Sequence, residues 1–441
     1  MGIKVCKFGG TSMASGSTIL ACAKIVQSDE ERRYVVVSAP GKRFSDDIKV
    51  TDLLYKCSDA VEAGDLAVFK AAFEKIRVRF LNIEKEIGKD LGIGEALNEV
   101  EKEVLNGAGC DYCASRGEYF AAIIMAAILD VPMVDATEFV RFDENGVLDQ
   151  EKTFELGEKV LSAYPRAVIP GFYGLGFDGK VKTFSRGGGD ISGAIVARSV
   201  MASWYENWTD VSGFYACDPR IVNSPKWIPE FTYQELRELS YMGANVLHSE
   251  SIFPVRSAGI PIRICNTFRP EDAGTYIVKN SKRSVFDYVV TGVAGKKDFT
   301  SITIEKSFMN AEVGYVGKVL SVIGNRGISF EHLPSGIDTM SLVIENSYLK
   351  NGVLEEVLEE IKKVANPDRI YCHENIALIA TVGHGMAKNV GTSARLFKAL
   401  SEAGINVNMI DQGSSELNII VGVENKDYEN CIKAIYNEFF S

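Results

Sequence analysis

The stretch Ile3-Lys4-Val5-Cys6-Lys7-Phe8-Gly9-Gly10-Thr11-Ser12 runs through alternating apolar residues and then stops at two glycines and two hydroxyls. That pattern predicts a buried strand ending in a tight turn. Ile19, Ala23 and Val26 then share one face of a helix beginning near Ser17. Glycines at a strand–helix junction let the backbone approach a ligand closely, and the N–H groups of the turn and helix start are poised for phosphate oxygens. Lys7 adds a mobile positive charge at the same place. An ordinary glycine turn has the same letters, so phosphate binding needs support from the rest of the chain.

At 441 residues the chain is too long for one core, and length predicts roughly two to four domains of about 100–200 residues. A formal net charge of −11 argues against nucleic acid as a partner, because nothing offsets phosphate repulsion globally. A local basic pocket for a nucleotide stays open. No apolar run approaches the ~18–20 residues that span a bilayer, and the N-terminus lacks a signal-peptide core, so a cytoplasmic protein without a membrane partner is expected. Nine scattered cysteines, an odd number, fit reduced thiols. Cys110-x-x-Cys113 has no second pair at ligand spacing, and His248, His332, His373 and His384 are distant in sequence. Buried or partly buried thiols are expected there, not a metal centre.

From Lys4 to about Phe286 strands and helices alternate, as in a mostly parallel sheet sandwiched by helices. Expected strands are Arg33 to Ser38, Val131 to Asp135, Ala167 to Tyr173, Trp204 to Val211 and Ile260 to Cys265. Between Gly64 and Gly107, Phe69, Phe73, Ile76, Phe80 and Ile83 recur at helical spacing and predict an inserted helical hairpin, a lid or a dimer contact. Asn280-Ser281-Lys282-Arg283-Ser284 reads as a linker. After it the sequence repeats itself. A helix Gly314–Arg326, strands Ile328–Glu331 and Thr339–Glu345 and a helix Val353–Val364 are answered by a helix Thr392–Ala403, strands Ile405–Met409 and Glu416–Val423 and a helix Tyr428–Phe440. With lead strands near Ser301 and Ala377, each copy reads as β-α-β-β-α-β, a ferredoxin-like α+β module. The expected domains are 1–285 (insertion about 64–107), 286–375 and 376–441, with strands free to interleave between the last two.

Thr183-Phe184-Ser185-Arg186-Gly187-Gly188-Gly189-Asp190 repeats the opening arrangement, a strand-like run entering glycines that open a helix. Arg186 offers a planar fork for a carboxylate or phosphate, and Asp190 can orient a magnesium ion or a lysine. Three consecutive glycines destabilise a chain unless the backbone must be bare. Thr209, Asp210 and Tyr215, then Asp218-Pro219-Arg220, lie in a loop after a strand, suited to a nucleoside or to a plain irregular turn. Ser115-Arg116-Gly117-Glu118 is expected at a helix start, with Ser115 as N-cap and Glu118 in the capping-box position. Alternatively, Glu118 receives the ammonium of an amino-acid substrate. Gly174-Leu175-Gly176-Phe177-Asp178-Gly179 matches G-x-G-x-x-G but precedes a strand, so Asp178-Gly179 is a hairpin turn. Gly314 to Val319 lacks the spacing and hydroxyl of a phosphate-binding P-loop.

Taken together and in this order, Lys7 to Ser12, Ser115 to Glu118, Ser185 to Asp190 and Thr209 to Arg220 resemble the aspartate kinases of the amino-acid kinase family. The repeat after Phe299 resembles their paired ACT regulatory domains. The resemblance covers nearly the whole chain. It implies the amino-acid kinase fold followed by two ACT modules, and transfer of phosphate from MgATP to the β-carboxylate of L-aspartate, the first step toward lysine, threonine and methionine. It assigns charge neutralisation to Lys7, backbone donors to Gly9 and Gly10, and organisation of the lysine and magnesium to Asp190. Aspartate would be held by Thr51 (from the loop after Ser38), Glu118, Arg186, Gly187 and Gly188, and ATP by Thr209, Asp210, Tyr215, Asp218 and Arg220, with no dedicated metal site.

Met309, Gly314, Tyr315, Val316 and Glu331 fall where lysine-sensitive relatives bind inhibitor at an ACT dimer interface, and a purely structural role fits them equally. The resemblance implies feedback by lysine, threonine or both, in a homodimer with tetramers left open. Gln412-Gly413-Ser414-Ser415-Glu416 reads as a turn at the paired interface. The chain departs from the family where most members read Gly-Ala-Lys-Val-Leu-His, carrying Asn245 for the lysine, and Lys42 or Arg43 is a candidate replacement charge. Gly189 replaces a common serine. Another acceptor, such as glutamate or acetylglutamate, and a non-catalytic amino-acid sensor are the competing functions.

Overall fold

The computed structural model describes residues 2–185, 188–244, 247, 252–281 and 289–441. Its chain divides into two units, one of Met1–Phe214, Ile228–Leu236 and Asn245–Ser281, the other of Tyr215–Trp227, Arg237–Ala244 and Lys282–Ser441.

In the first unit the opening apolar run forms β1 (Lys4–Phe8), buried from Val5 onward and central in a seven-stranded sheet. The others are β2 (Arg32–Val37), β3 (Ala167–Pro170), β4 (Trp204–Thr209), β5 (Glu230–Thr232), β6 (Ile262–Asn266) and β7 (Thr275–Val278), in the order β3-β2-β1-β4-β6-β7-β5. Neighbours run parallel except β6 and β7. The chain builds outward from β1 to β3, then returns to β4 on the other side of β1. That reversal opens a crevice at the strands' carboxyl ends, where α/β sheets bind ligands.

One sheet face is covered by α1 (Gly16–Gln27), α2 (Val50–Glu62), α3 (Leu66–Ile87), α4 (Ile93–Leu105) and α5 (Cys110–Leu129), which pack with Cys6, Phe8, Val35, Val37 and Trp208. On α3, Phe69, Phe73, Ile76, Phe80 and Ile83 are buried on one face as their spacing requires, each contributing about 1.5–3 kcal/mol. Asp65 caps α3 by accepting from Val68 N–H, and left-handed Gly88 ends it before α4. The inserted helical hairpin is therefore α3 and α4. After α6 (Gln150–Leu161) and a hairpin of Tyr173–Leu175 and Val181–Thr183 turning at Gly179, α7 (Gly188–Ser199) lies across the opposite sheet face.

Three expectations fail here. Val131–Asp135 is not a strand. Pro132 lacks a donor, only Met133 bridges Val168, and Asp135 instead caps a short 3-10 turn. Ser115 is not an N-cap, because α5 begins five residues earlier after Gly109, and the Ser115 hydroxyl donates to the Tyr112 carbonyl. Finally, α5 is apolar and long enough to cross a membrane, although it carries Asp111, Arg116 and Glu118 and most of it is buried inside this unit.

The second unit holds a five-stranded antiparallel sheet of β8 (Gly292–Glu305), β9 (Thr339–Glu345), β10 (Arg369–Val382), β11 (Met409–Asp411) and β12 (Asn418–Glu424), ordered β9-β8-β10-β12-β11. Its helices are α8 (Tyr315–Asn325), α9 (Val353–Ala365), α10 (Thr392–Glu402) and α11 (Tyr428–Phe440). β8 and β10 pair along nearly their full lengths, Gly292–Lys296 against Leu378–Val382 and Phe299–Glu305 against Arg369–Ile376. The copies thus share one sheet; each has a core of its own, Ile302, Val319, Leu342 and Ile361 in one and Val293, Leu396, Val421 and Ile435 in the other, while Phe299 and Val343 cluster with Leu378 and Ile420 across the two. The expected strand Ile328–Glu331 is absent, because Gly327 turns left-handed and only Glu331 N–H bonds across, to Val343. Ile405–Met409 likewise reduces to Met409–Asp411 after left-handed Gly404.

Candidate active site

Strand register places Lys7 of β1 beside Asn207 of β4, and the pleat turns both toward α7. Asp190, in the first turn of α7, meets them there. Lys7 Nζ lies 2.6 Å from Asp190 Oδ1, and Asn207 Nδ2 donates to the same oxygen at 2.9 Å. The Tyr205 hydroxyl holds the Asp190 carbonyl at 3.1 Å. This ion pair is fixed from both sides and largely removed from water, so its charges act at short range with little screening.

Around the pair the backbone is bare. A Cβ on Gly189 would lie 2.8 Å from Ser38 Oγ and 3.2 Å from Lys7 Cε, and one on Gly188 would lie 2.4 Å from the Phe172 ring. The first N–H groups of a helix have no intrahelical acceptors, so α7 directs donors and a positive dipole end at this place. The start of α1 does not. Its first N–H groups are taken by Glu86 of α3, which accepts from Gly16 at 2.8 Å, and by the Ser15 hydroxyl. That corrects the expectation that α1 opens onto a phosphate. In the turn itself Gly9 N–H donates to the Trp208 carbonyl at 3.0 Å, so Gly9 provides close approach rather than a donor. Gly10 N–H has no acceptor among the described residues.

Glu118 lies on α5 where Gly117 presses against Ala39, so close that a Cβ on Gly117 would be 2.6 Å from the alanine methyl. Burial pushes its carboxyl up to about 8, against backbone hydrogen bonding at Ala39 and the attraction of Arg116. Its Oε2 has no hydrogen-bond partner among the described residues. Arg116 is held among the rings of Tyr112, Tyr119 and Tyr173 at 4.4, 4.6 and 5.2 Å. A buried carboxylate with a vacant oxygen suits a cationic ligand group. Thr51 sits in the first turn of α2, not in a loop, and neighbouring Val50 packs near Gly117. Arg186, Gly187 and Asn245 lie outside the described residues.

Thr209 and Asp210 close β4. The Thr209 carbonyl accepts from Thr267 N–H, and the Thr267 hydroxyl meets that of buried Ser12 at 2.7 Å, which ties this strand end to the opening turn. Tyr215, Asp218 and Arg220 belong to the second unit. There Arg220 pairs with Asp218 at 2.6 Å and holds its carboxyl below the usual range. Also in that unit, Met309 and Tyr315 are buried, Val316 packs on the core, and left-handed Gly314 precedes α8. The Glu331 carboxylate takes a hydrogen bond from Tyr241.

Lys42 and Arg43 are engaged elsewhere, Lys42 with the Ser45 carbonyl and Arg43 with Asp47. Cys110 and Cys113 are free thiols, and no group of three metal-ligating side chains occurs among the described residues. Sequence reasoning missed Asn207, although a lone amide in a buried strand was its signal. It also missed Ser38 and Tyr205, whose roles come from tertiary contact alone.

The amino acid kinase family profile matches residues 2–266, and an ACT domain profile matches 379–439. Over all of its length the chain is 37% identical to aspartokinase 3 of Bacillus subtilis, covering 99% of that protein. The aspartate kinase of Clostridium acetobutylicum, described as an allosteric enzyme, has the same fold with a TM-score of 0.91, 49% identity and complete coverage of both chains. Aspartokinase III of Escherichia coli, solved with aspartate and ADP, gives 0.75 at 25% identity, again with both chains covered. Its complex with lysine and aspartate gives 0.76.

Proposed function

The chain belongs to the amino acid kinase family, in its aspartate kinase branch, and from that membership we propose that it phosphorylates the β-carboxylate of L-aspartate with MgATP to give 4-phospho-L-aspartate. The observation that carries this reading is the Lys7–Asp190 pair in a bare-backbone crevice, with buried Glu118 at the neighbouring strand end. The acceptor carboxylate is already ionised at neutral pH, so no strong base is needed. One of its oxygens forms the new P–O bond as the bond from the γ-phosphorus to ADP breaks, and no proton moves.

The difficulty is bringing two anions into line. Lys7 and Gly10 neutralise and orient the transferring group. Asp190 fixes Lys7 and would help to hold magnesium carried by the phosphates, which supplies further charge neutralisation when bound. Glu118 receives the substrate ammonium, whose arrival restores its charge. Arg186, Gly187, Gly188 and Thr51 complete the aspartate site, and Thr209 and Asp210 at the end of β4 serve the ATP site.

The catalytic domain on this reading is 1–285, with ACT domains at 286–375 and 376–441. It opens the route to lysine, threonine and methionine in the cytoplasm as a homodimer formed through the ACT domains. Lysine, threonine or both inhibit at Met309, Gly314, Tyr315, Val316 and Glu331; the E. coli relative solved with lysine supports lysine as an effector.

The test is ATP-dependent hydroxamate formation from aspartate and hydroxylamine, with glutamate and acetylglutamate as competing acceptors. Aspartyl hydroxamate is expected from the native chain, and Lys7→Ala should lower kcat by about 100-fold or more, the order lost when a preorganised charge stabiliser is removed. No product from aspartate, or full activity in Lys7→Ala, overturns the assignment.

A further inference from the structure

Arg79 lies on the inserted helix α3, next to Phe80, and only 5% of it is exposed. A buried guanidinium is a costly choice where an apolar residue would pack equally well. Its two terminal nitrogens are both committed to the chain leaving β2. Nη2 donates to the Gly41 carbonyl at 2.5 Å and Nη1 to Asp47 Oδ2 at 2.6 Å. Arg43 grips the same Asp47 through Nε at 2.8 Å, Nη2 at 2.9 Å and its own N–H at 3.0 Å. Hydrogen bonds from Arg43 and Arg79 hold the Asp47 carboxyl well below the usual carboxylate range, so the clamp keeps its charge at working pH.

Gly41 passes this restraint on. Its N–H donates to the Gly10 carbonyl at 2.8 Å. The contact is backbone on backbone, since a Cβ on Gly41 would lie 2.7 Å from the Gly10 carbonyl carbon and 3.0 Å from Thr11 N. Glycine has no conformational preference of its own strong enough to aim an N–H group, so a glycine that donates to a ligand must be held from outside. Fixing the Gly10 carbonyl fixes the Gly10–Thr11 peptide plane and narrows the conformations open to Gly10. A guanidinium suits this task because its planar fork spans two acceptors at once, which an ammonium does not.

We propose that Arg79 is a positioning residue for phosphoryl transfer, acting through Gly41 to hold the Gly10 turn in its donating conformation. The proposal rests on the site assignment above, and it gives the inserted helix a part in the reaction.

Arg79→Met keeps the stem and its packing while removing both donors, and Arg79→Lys restores one. Full-length variants are compared by steady-state kinetics with ATP and aspartate, and by amide hydrogen exchange in peptides covering residues 8–13 and 39–44. Arg79→Met should lower kcat by about 10- to 100-fold with each KM within about threefold, the pattern of an interaction realised in the transition state. Exchange in both peptides should accelerate, and Arg79→Lys should recover part of kcat. Gly41→Ala forces the same contact apart with Arg79 intact, and it carries the test if Arg79→Met does not fold.

Unchanged kcat, or unchanged exchange at 8–13, in a folded variant overturns the proposal. So does a loss of stability with no change in either. If the native chain forms no acyl phosphate from aspartate and exchange at 8–13 still responds to Arg79→Met, the acceptor assignment falls and the positioning role stands.

Discussion

At the scale of single residues, Glu118 shows how a site can prepare for its ligand. Its carboxyl is raised by burial to about 8, so in the free protein it is mostly neutral at pH 7. A raised acid stabilises the fold at low pH, and that contribution fades as pH climbs from the ordinary glutamate range through about 8. A bound ammonium reverses the balance by favouring the ionised form, so tight binding of aspartate draws on the deprotonated fraction. KM for aspartate should therefore fall from pH 6 to pH 8 by at most about tenfold per unit, then level off. Glu118→Gln has nothing to titrate, so its KM should be higher and flat over the same window. Initial rates at saturating ATP decide the matter, and a sloping KM in Glu118→Gln would point to another titrating group. The sequence reading found Glu118 from its neighbours but placed it nearly two turns too early in α5, since capping-box letters at Ser115 occur equally well inside a helix. Gly9 shows the opposite error, because nothing in the letters reveals that the Trp208 carbonyl already holds its N–H.

At the scale of elements, legibility followed apolar periodicity. The buried stripe of α3 was readable because five large side chains recur at helical spacing, and Phe80 meets Phe120 of α5 edge-on at 4.9 Å between ring centres. Phe80→Ala removes that contact and leaves a cavity that α2, α4 and α5 cannot all close. It should cost about 3–5 kcal/mol in urea unfolding. A loss below about 1 kcal/mol would mean that the insertion folds around the gap, as only surface sites normally allow. Polar elements were not readable in this way. The apolar spacing of α3 did not single out Arg79, whose partners Gly41 and Asp47 come from a loop 32 or more residues earlier. Val131–Asp135 was misread for a related reason. Its apolar letters suit a strand, but Pro132 removes the donor that a ladder at β3 would need.

At the scale of the whole chain, the sequence repeat was legible and left strands free to interleave between the copies, without saying which. The 14-residue strands β8 and β10 run through both copies, so each copy completes its sheet with backbone that also serves the other. Strand pairing depends on backbone register, which repeat letters do not encode. Two cores joined by continuous strands and by the cluster of Phe299 and Val343 with Leu378 and Ile420 should then unfold as one cooperative unit, because opening either copy leaves β8 and β10 without partners along half their length. Ile304→Ala tests this. Ile304 is fully buried in the core under α8 and α9, and truncating it should cost about 2–5 kcal/mol. If the sheet couples the copies, amide exchange should speed up in α10 and α11, which Ile304 does not touch, by nearly the factor seen in α8 and α9. Acceleration confined to α8 and α9 would show that each copy opens alone, and that the shared strands transmit little between them.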